Sequence, residues 1–367
     1  MQLDHLKKPL ALAGLACAIA LAPTYASAVD FSGKKIIMIV PFKPGGGGDT
    51  YSRTFGTAIG QYLPGKPTVI AFNKPGGSGI LGYNQFEATA KPDGLTITLA
   101  STSTYTNQMF GGKKVKFDIG GWRAILVNPI GTTFYARPDS TGIKGKDLKT
   151  DLLALQKAET TFSSKSKTSA ELRSMLAFDL LGFFPKKVVF GLSSGKRRKA
   201  VLRSELNLSQ DNTIKFLKSV KKWEKKGDVL GFMTFGMPTP DGKILRDPAL
   251  PDLPTIGEGY EALYGKKPDE KSLQWQAIRK FSLLVTTSKA LMLPKGTPDD
   301  IYNTYVTAAK KMWADPAFQK RIKKTHAKYP AYFGSDAERM VQDTIRWDPK
   351  LRKWLDGWLE KKLDKAS

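Results

Sequence analysis

The chain has 367 residues, 41% of them hydrophobic, and carries 58 Lys and Arg against 33 Asp and Glu, a formal charge of +25. That length and apolar share suit two packed domains, and the charge draws anions from long range. One cysteine, Cys17, and two histidines, His5 and His326, leave little from which to build a disulfide, a thiolate nucleophile, a Ser/His/Asp triad or a multi-histidine zinc site.

Lys7 and Lys8 precede a short apolar run from Pro9 to Ala22, and Ala26-Ser27-Ala28 fits a small-x-small cleavage site. The run is too short to span a bilayer, so residues 1–28 read as a secretion signal and the mature chain is expected to begin at Val29. Cleavage would take Cys17 and His5 with it. His326, in the basic stretch Arg321-Ile322-Lys323-Lys324-Thr325-His326, is expected at the surface. No later stretch is long and apolar enough to cross a bilayer. The basic residues are spread along an exported chain, which argues against nucleic acid. The densest run, Lys196-Arg197-Arg198-Lys199, reads as a solvated face, with attraction of an anionic ligand as the functional alternative.

Lys34 to Val40 reads as a buried strand. It runs into Pro41-Phe42-Lys43-Pro44-Gly45-Gly46-Gly47-Gly48-Asp49, a glycine turn with a helix opening at Asp49, the expected N-cap. A glycine turn at a helix start bares backbone N–H groups that suit a carboxylate or phosphate. A helix follows from about Thr50 to Leu63, with Tyr51, Phe55, Ile59 and Tyr62 on one face. Thr68 to Phe72 is a second strand. The loop Asn73-Lys74-Pro75-Gly76-Gly77-Ser78-Gly79 repeats the glycine design. A helix spans Ile80 to Thr89, Pro92-Asp93-Gly94 turns, and Leu95 to Ala100 is a third strand ending in the hydroxyls Ser101-Thr102-Ser103-Thr104. All three polar segments fall at C-terminal strand ends, where open α/β sheets collect ligands.

Trp122 to Val127 reads as a strand leaving this first lobe. The second lobe holds Thr161 to Thr168, a Ser/Lys/Thr loop suited to clamp the far side of the cleft, with Lys165 and Lys167 adding charge-assisted bonds to a carboxylate. A helix from Ser169 to Leu181, a strand from Val188 to Phe190 and a basic helix come next. Asp228 to Phe235 reads as a strand returning to the first lobe, so two crossings make a hinge. From Asp299 the chain is mostly helical, broken at Asp315-Pro316 and Gly334-Ser335. Trp347, Leu351, Trp354 and Trp358 form a packing stripe on the last helix. The expected fold class is α/β and two-lobed, with lobe 1 over residues 29–123 and 236–367 and lobe 2 over 124–235. Neither a dinucleotide fingerprint nor a Walker loop fits the glycine spacing. No cofactor and no metal are implied.

Together these segments resemble the periplasmic substrate-binding receptors of tripartite tricarboxylate transporters. The likeness rests on Ile39 to Asp49, Asn73 to Gly79, Pro92 to Thr96, Pro248-Ala249-Leu250-Pro251-Asp252-Leu253-Pro254-Thr255-Ile256-Gly257-Glu258, and Leu293 to Pro298 with Asp315-Pro316 beyond. It implies a periplasmic binding protein of the type II-like fold, not an enzyme, that closes on a small organic acid and docks on integral membrane transporter subunits. A sensor subunit presenting ligand to a membrane signalling protein is the alternative. The resemblance implies that the two glycine loops, here Phe42, Gly45, Gly46, Gly47, Gly48, Asp49, Gly76, Gly77, Ser78 and Gly79, hold one carboxylate while the other lobe selects the far end. Ser101, Thr102 and Thr104 on the same rim and Ser164, Lys165 and Thr168 across the cleft are further candidate contacts read from the chain itself. Departures are Gly48 where Thr is usual, Ser78 where Gly is common, and Ser and Lys replacing smaller residues between Thr161 and Gly195.

Overall fold

The computed structural model describes residues 29–238, 243–323 and 326–364; the secretion signal read over residues 1–28 lies outside the described residues. Strands β1 (Lys35–Val40), β2 (Thr68–Asn73) and β3 (Thr96–Ser101) are parallel, with β1 between the other two. A nearly continuous helical run from Gly47 to Tyr62 links β1 to β2, and the helix Ile80–Thr89 links β2 to β3. Tyr51, Phe55 and Ile59 are buried on the face expected from their spacing. The turn at Pro92-Asp93-Gly94 closes through Asp93, whose carboxylate accepts from Leu95 N at 2.9 Å.

Strand β4 (Arg123–Val127) belongs to this same sheet, so the chain leaves the first lobe after Val127 and not along β4 as the sequence suggests. The second lobe contains β5 (Thr132–Ala136), β6 (Thr161–Ser164), β7 (Lys187–Phe190), β8 (Leu208–Asn212) and β9 (Leu230–Thr234). An antiparallel sheet runs β8-β5-β9, and β6 pairs with β7 in parallel. The strand expected to return to the first lobe, β9, thus completes the second-lobe sheet, and the crossing falls beyond Thr234. A short ribbon of β10 (Met237–Pro238) and β11 (Ile244–Leu245) follows.

Past it, Thr255 and Glu258 form a reciprocal capping box that opens the helix Ile256–Tyr264, a physical reason for that stretch of the Pro248–Glu258 motif. Strand β12 (Lys289–Leu293) then re-enters the first lobe antiparallel to β3 and β4, and β13 (Tyr332–Phe333) closes the edge, giving the order β13-β4-β12-β3-β1-β2. Ile36, Met38, Ile97, Leu99, Leu291 and Leu293 pack on one side with Tyr51, Phe55 and Met312. Ile39, Ala100, Ala124 and Met292 pack on the other with Tyr83, Phe86 and Phe281. Burial on both faces is why these strands read as apolar runs and not as alternations.

The tail is helical over Asp299–Ala314, Pro316–Ile322, Ser335–Ile345 and Pro349–Leu359. Asp315 caps the second of these by accepting from Ala317 N at 2.7 Å. Leu351 and Trp358 are buried, with Trp347 and Trp354 half-buried against the same core, so the aromatic stripe is packing. Among the described residues no helix is long and apolar enough to cross a membrane.

Candidate functional site

The helical run after β1 opens at Gly47, with Gly46 preceding it, which places Asp49 inside the first turn and not at its cap. The Asp49 carboxylate accepts from Gly45 N and Asn73 Nδ2 at 2.9 Å and from Arg53 Nε at 3.0 Å. Burial opposes its charge, but the bonds from Asn73, Gly45 and Arg53 outweigh that and hold the carboxyl below its usual range. Asn73 Nδ2 also donates to Phe42 O at 2.8 Å. Asp49 therefore ties the first glycine loop to the end of β2. It does not line the cavity, contrary to its expected place at the ligand.

The second loop turns through positive φ at Gly76, Gly77, Ser78 and Gly79. Ser78 holds φ +58 and ψ +25 without glycine's freedom, a strain of about 1 kcal/mol. Its hydroxyl reaches Ser166 Oγ of the other lobe at 3.2 Å. At Gly48 a Cβ would stand 2.5 Å from the Phe42 ring. The amides of Gly47, Gly48, Gly77 and Ser78 donate to no protein acceptor among the described residues.

The hydroxyl cluster after β3 opens a helix, Thr102–Phe110, that the sequence reading does not contain. Thr104 Oγ1 accepts from Ser101 N at 2.8 Å in a capping box. Thr104 is thus spent on the helix start and fully buried away from the cavity, a correction to its expected role. Ser101, Thr102 and Ser103 do line it.

On the second lobe, Thr161–Ser164 is strand β6 and not a loop. Ser164 is fully buried and donates to Ser166 O at 2.7 Å, bracing the clamp from behind instead of meeting a ligand. Lys165 to Thr168 form the clamp. Lys165 Nζ donates to Ser103 Oγ at 3.1 Å, Ala170 N to the same oxygen at 3.3 Å, Thr168 Oγ1 to Asn107 Oδ1 at 3.2 Å, and Lys215 Nζ to Gly45 O at 3.2 Å. With Ser78–Ser166, these bonds hold the two lobes shut.

They enclose a cavity of about 940 Å³. Phe42, Gly45, Gly46, Gly47, Gly48, Gly76, Gly77, Ser78, Gly79, Ser101, Thr102, Lys165 and Thr168 all face it. Glu171, Arg173, Arg197 and Lys289 also face it. Arg197, expected on a solvated surface, is buried; its Nη1 donates to Glu171 Oε1 at 2.8 Å and its Nη2 to Gln210 O at 3.0 Å. Of the basic run, Lys196 and Lys199 keep to the exposed face of that helix. Burial disfavours the Glu171 charge, but Lys165 and Arg197 overcome it and keep the carboxyl far below its usual range. Arg173 Nη2 donates to Thr132 Oγ1, while its Nε and Nη1 are buried without a partner.

Lys289 is buried, and that burial, with the charges of Arg173 and Lys165, pushes its ammonium down to about 7. The signal for Lys289 is a lysine heading the apolar stretch Ala290 to Leu293. Glu171 precedes and Arg173 lies in the helix Leu172–Leu180, whose inward face the sequence alone does not show to meet the cleft.

His326 is buried, not exposed, edge-on to Tyr51 and Phe55 with ring centres at 5.3 and 4.9 Å. Burial first, and then the Lys289 charge, push it down to about 3.

No protein-family model matches the chain. It is 36% identical over 135 residues to a UPF0065 protein of Bordetella pertussis, covering 36% of this chain and 41% of that one. It is 36% identical over 101 residues to protein BugT of the same organism, covering 27% and 29%. The matched stretches thus span well under half of these curated relatives. Solved structures match along nearly the whole chain. The periplasmic binding protein BugD gives a TM-score of 0.64 at 20% identity, over 88% of this chain and 97% of that one. R. palustris Rpa4515 with adipate gives 0.65 at 17%, over 91% and 98%. MatC from Rhodopseudomonas palustris with bound malate gives 0.62 at 17%, over 87% and 98%. The chain therefore has the two-lobed fold of the periplasmic binding proteins, and its matched stretches are similar to proteins of the UPF0065 and Bug type.

Proposed function

We propose that the chain is an extracytoplasmic receptor, exported by its residues 1–28, that closes two lobes on a small organic acid and hands it to a tripartite tricarboxylate-type membrane transporter. One observation carries this reading. Backbone amides from two glycine loops and a set of buried cations from both lobes face a single cavity whose lining includes Glu171. Buried cations in excess over carboxylates favour an anion from outside. The glycine amides take one carboxylate, with Ser101 and Thr102 beside it, and the second-lobe clamp takes the far end. A ligand touching both lobes favours the shut form, because only that form makes both sets of contacts. Solved proteins of this fold with malate and with adipate fit the same chemistry. A binding and release cycle needs no nucleophile, consistent with a role other than catalysis.

The test is calorimetry on protein stripped of ligand by unfolding and refolding, against a panel of mono-, di- and tricarboxylates. Micromolar or tighter binding of at least one acid, with a rise in melting temperature, is expected. Silence across the panel would refute the receptor reading.

A further inference from the structure

The charges around the cavity do not balance. Arg197 and Glu171 form a buried pair at 2.8 Å, each side chain 1% exposed, and so neutralise one another. Lys165 Nζ stands 3.6 Å from the same carboxylate oxygen, so one acid is shared between two cations. Arg173 and Lys289 have no ion pair at all among the described residues. Arg173 spends one nitrogen on Thr132 Oγ1 and leaves two buried and unpartnered. Lys289 donates only to the carbonyl of its neighbour Ser288, at 2.7 Å. These two groups and Lys165 lie close enough to repel one another, and the depressed Lys289 ammonium reflects that crowding as well as its burial. Buried cations without counter-charge are costly. A single carboxylate brings one negative charge and two oxygens to three cationic groups. A phosphate monoester brings nearly two charges and a phosphonate between one and two, each with three oxygens. Ser103 Oγ, which accepts from Lys165 and Ala170 N, keeps its own proton to donate.

We propose that the receptor's ligand is an organic acid with a tetrahedral dianion at one end: a carboxylate on the glycine loops and a phosphonate or phosphate ester on Lys165, Arg173 and Lys289. This rests on the receptor reading above and narrows its ligand class. The geometry favours the tetrahedral group over a second carboxylate because it satisfies more of the unpartnered Arg173 and Lys289 donors at once.

The experiment is calorimetry at about pH 7, where a phosphate monoester is largely a dianion and Lys289 still takes a proton, on the stripped protein and on Arg173→Gln and Lys289→Gln. The probes are succinate, 3-phosphonopropionate, 2-phosphoglycolate and inorganic phosphate. At least one of the two phosphorus acids is expected to bind about tenfold or more tighter than succinate. Whichever of them binds tighter separates phosphonate from ester. Inorganic phosphate, lacking the carboxylate, is expected to bind weakly. Each variant is expected to cut the advantage over succinate to about threefold or less, with circular dichroism confirming the fold. Succinate binding as tightly as both phosphorus acids would overturn the inference and leave the receptor intact. Binding by none of the four organic or inorganic anions, in a protein that also ignores the wider carboxylate panel, would overturn both.

Discussion

Lys289 and His326 are two buried bases whose protons are held off by their surroundings, and each leaves a different mark on pH dependence. Lys289 titrates near 7 in the folded chain and near 10.5 when unfolded. An anion in the cavity raises its affinity for a proton, so binding takes a proton up. Affinity for a fully ionised acid is therefore expected to fall as pH rises from about 7 to 9, by up to about tenfold per unit at the steep end. Lys289→Gln should bind more weakly at pH 7 and lose most of that slope, as calorimetry across the range would show. His326 has a folded value of about 3 against 6.5 unfolded. Its neutral form stabilises the fold fully above 6.5, and that contribution drains away as pH falls toward 3. His326→Gln is expected to be less stable at neutral pH yet to lose less on acidification, with the acid limb shallower by about 2–4 kcal/mol in urea melts. Glu171 makes a third case. Removing it strands Arg197 in the interior, so Glu171→Ala should cost about 3–5 kcal/mol of stability, measured by the same melts.

At the level of elements, the first lobe was readable because its signals are local. The apolar run Lys35–Val40, the glycine turns and the β-branched residues of Thr68–Asn73 each announce themselves within a few residues, and Ile80–Thr89 matched its expected bounds. Strand β12 was not readable, because a short apolar strand entering between β3 and β4 is fixed by partners far earlier in the chain. The helix at Thr102 was hidden for another reason: a run of hydroxyls suits a turn as well as a capping box. The site followed the same division. Glycine loops were legible from spacing, whereas the inward turn of Arg197 depends on Glu171, which lies on a different helix approach. Gly47 lies close against the second lobe. A Cβ there would stand 2.5 Å from Asn212 Nδ2 across the gap. Gly47→Ala is expected to weaken ligand binding about tenfold while moving the melting temperature of the ligand-stripped protein by under about 2 °C. Equal affinity in the variant would show that the approach of Asn212 is irrelevant to closure.

For the whole molecule, the charge of +25 surrounds a cavity that itself holds buried cations. Long-range attraction speeds capture of an acid, and salt screens it over about 8–10 Å at physiological ionic strength. Stopped-flow association rates for a bound acid should therefore drop by roughly tenfold between low and high salt, with dissociation rates changing far less.

The fastenings between the halves are hydroxyls, amides and lysines, such as Ser78 to Ser166 and Lys215 to Gly45. Water offers each of these a substitute of nearly equal strength. Parting the halves trades partners instead of stripping them, so the trap springs back without any fuel of its own. In the proposed receptor cycle the cost of unloading would then fall on the cargo's own grip, which a membrane partner would need to loosen at one end only.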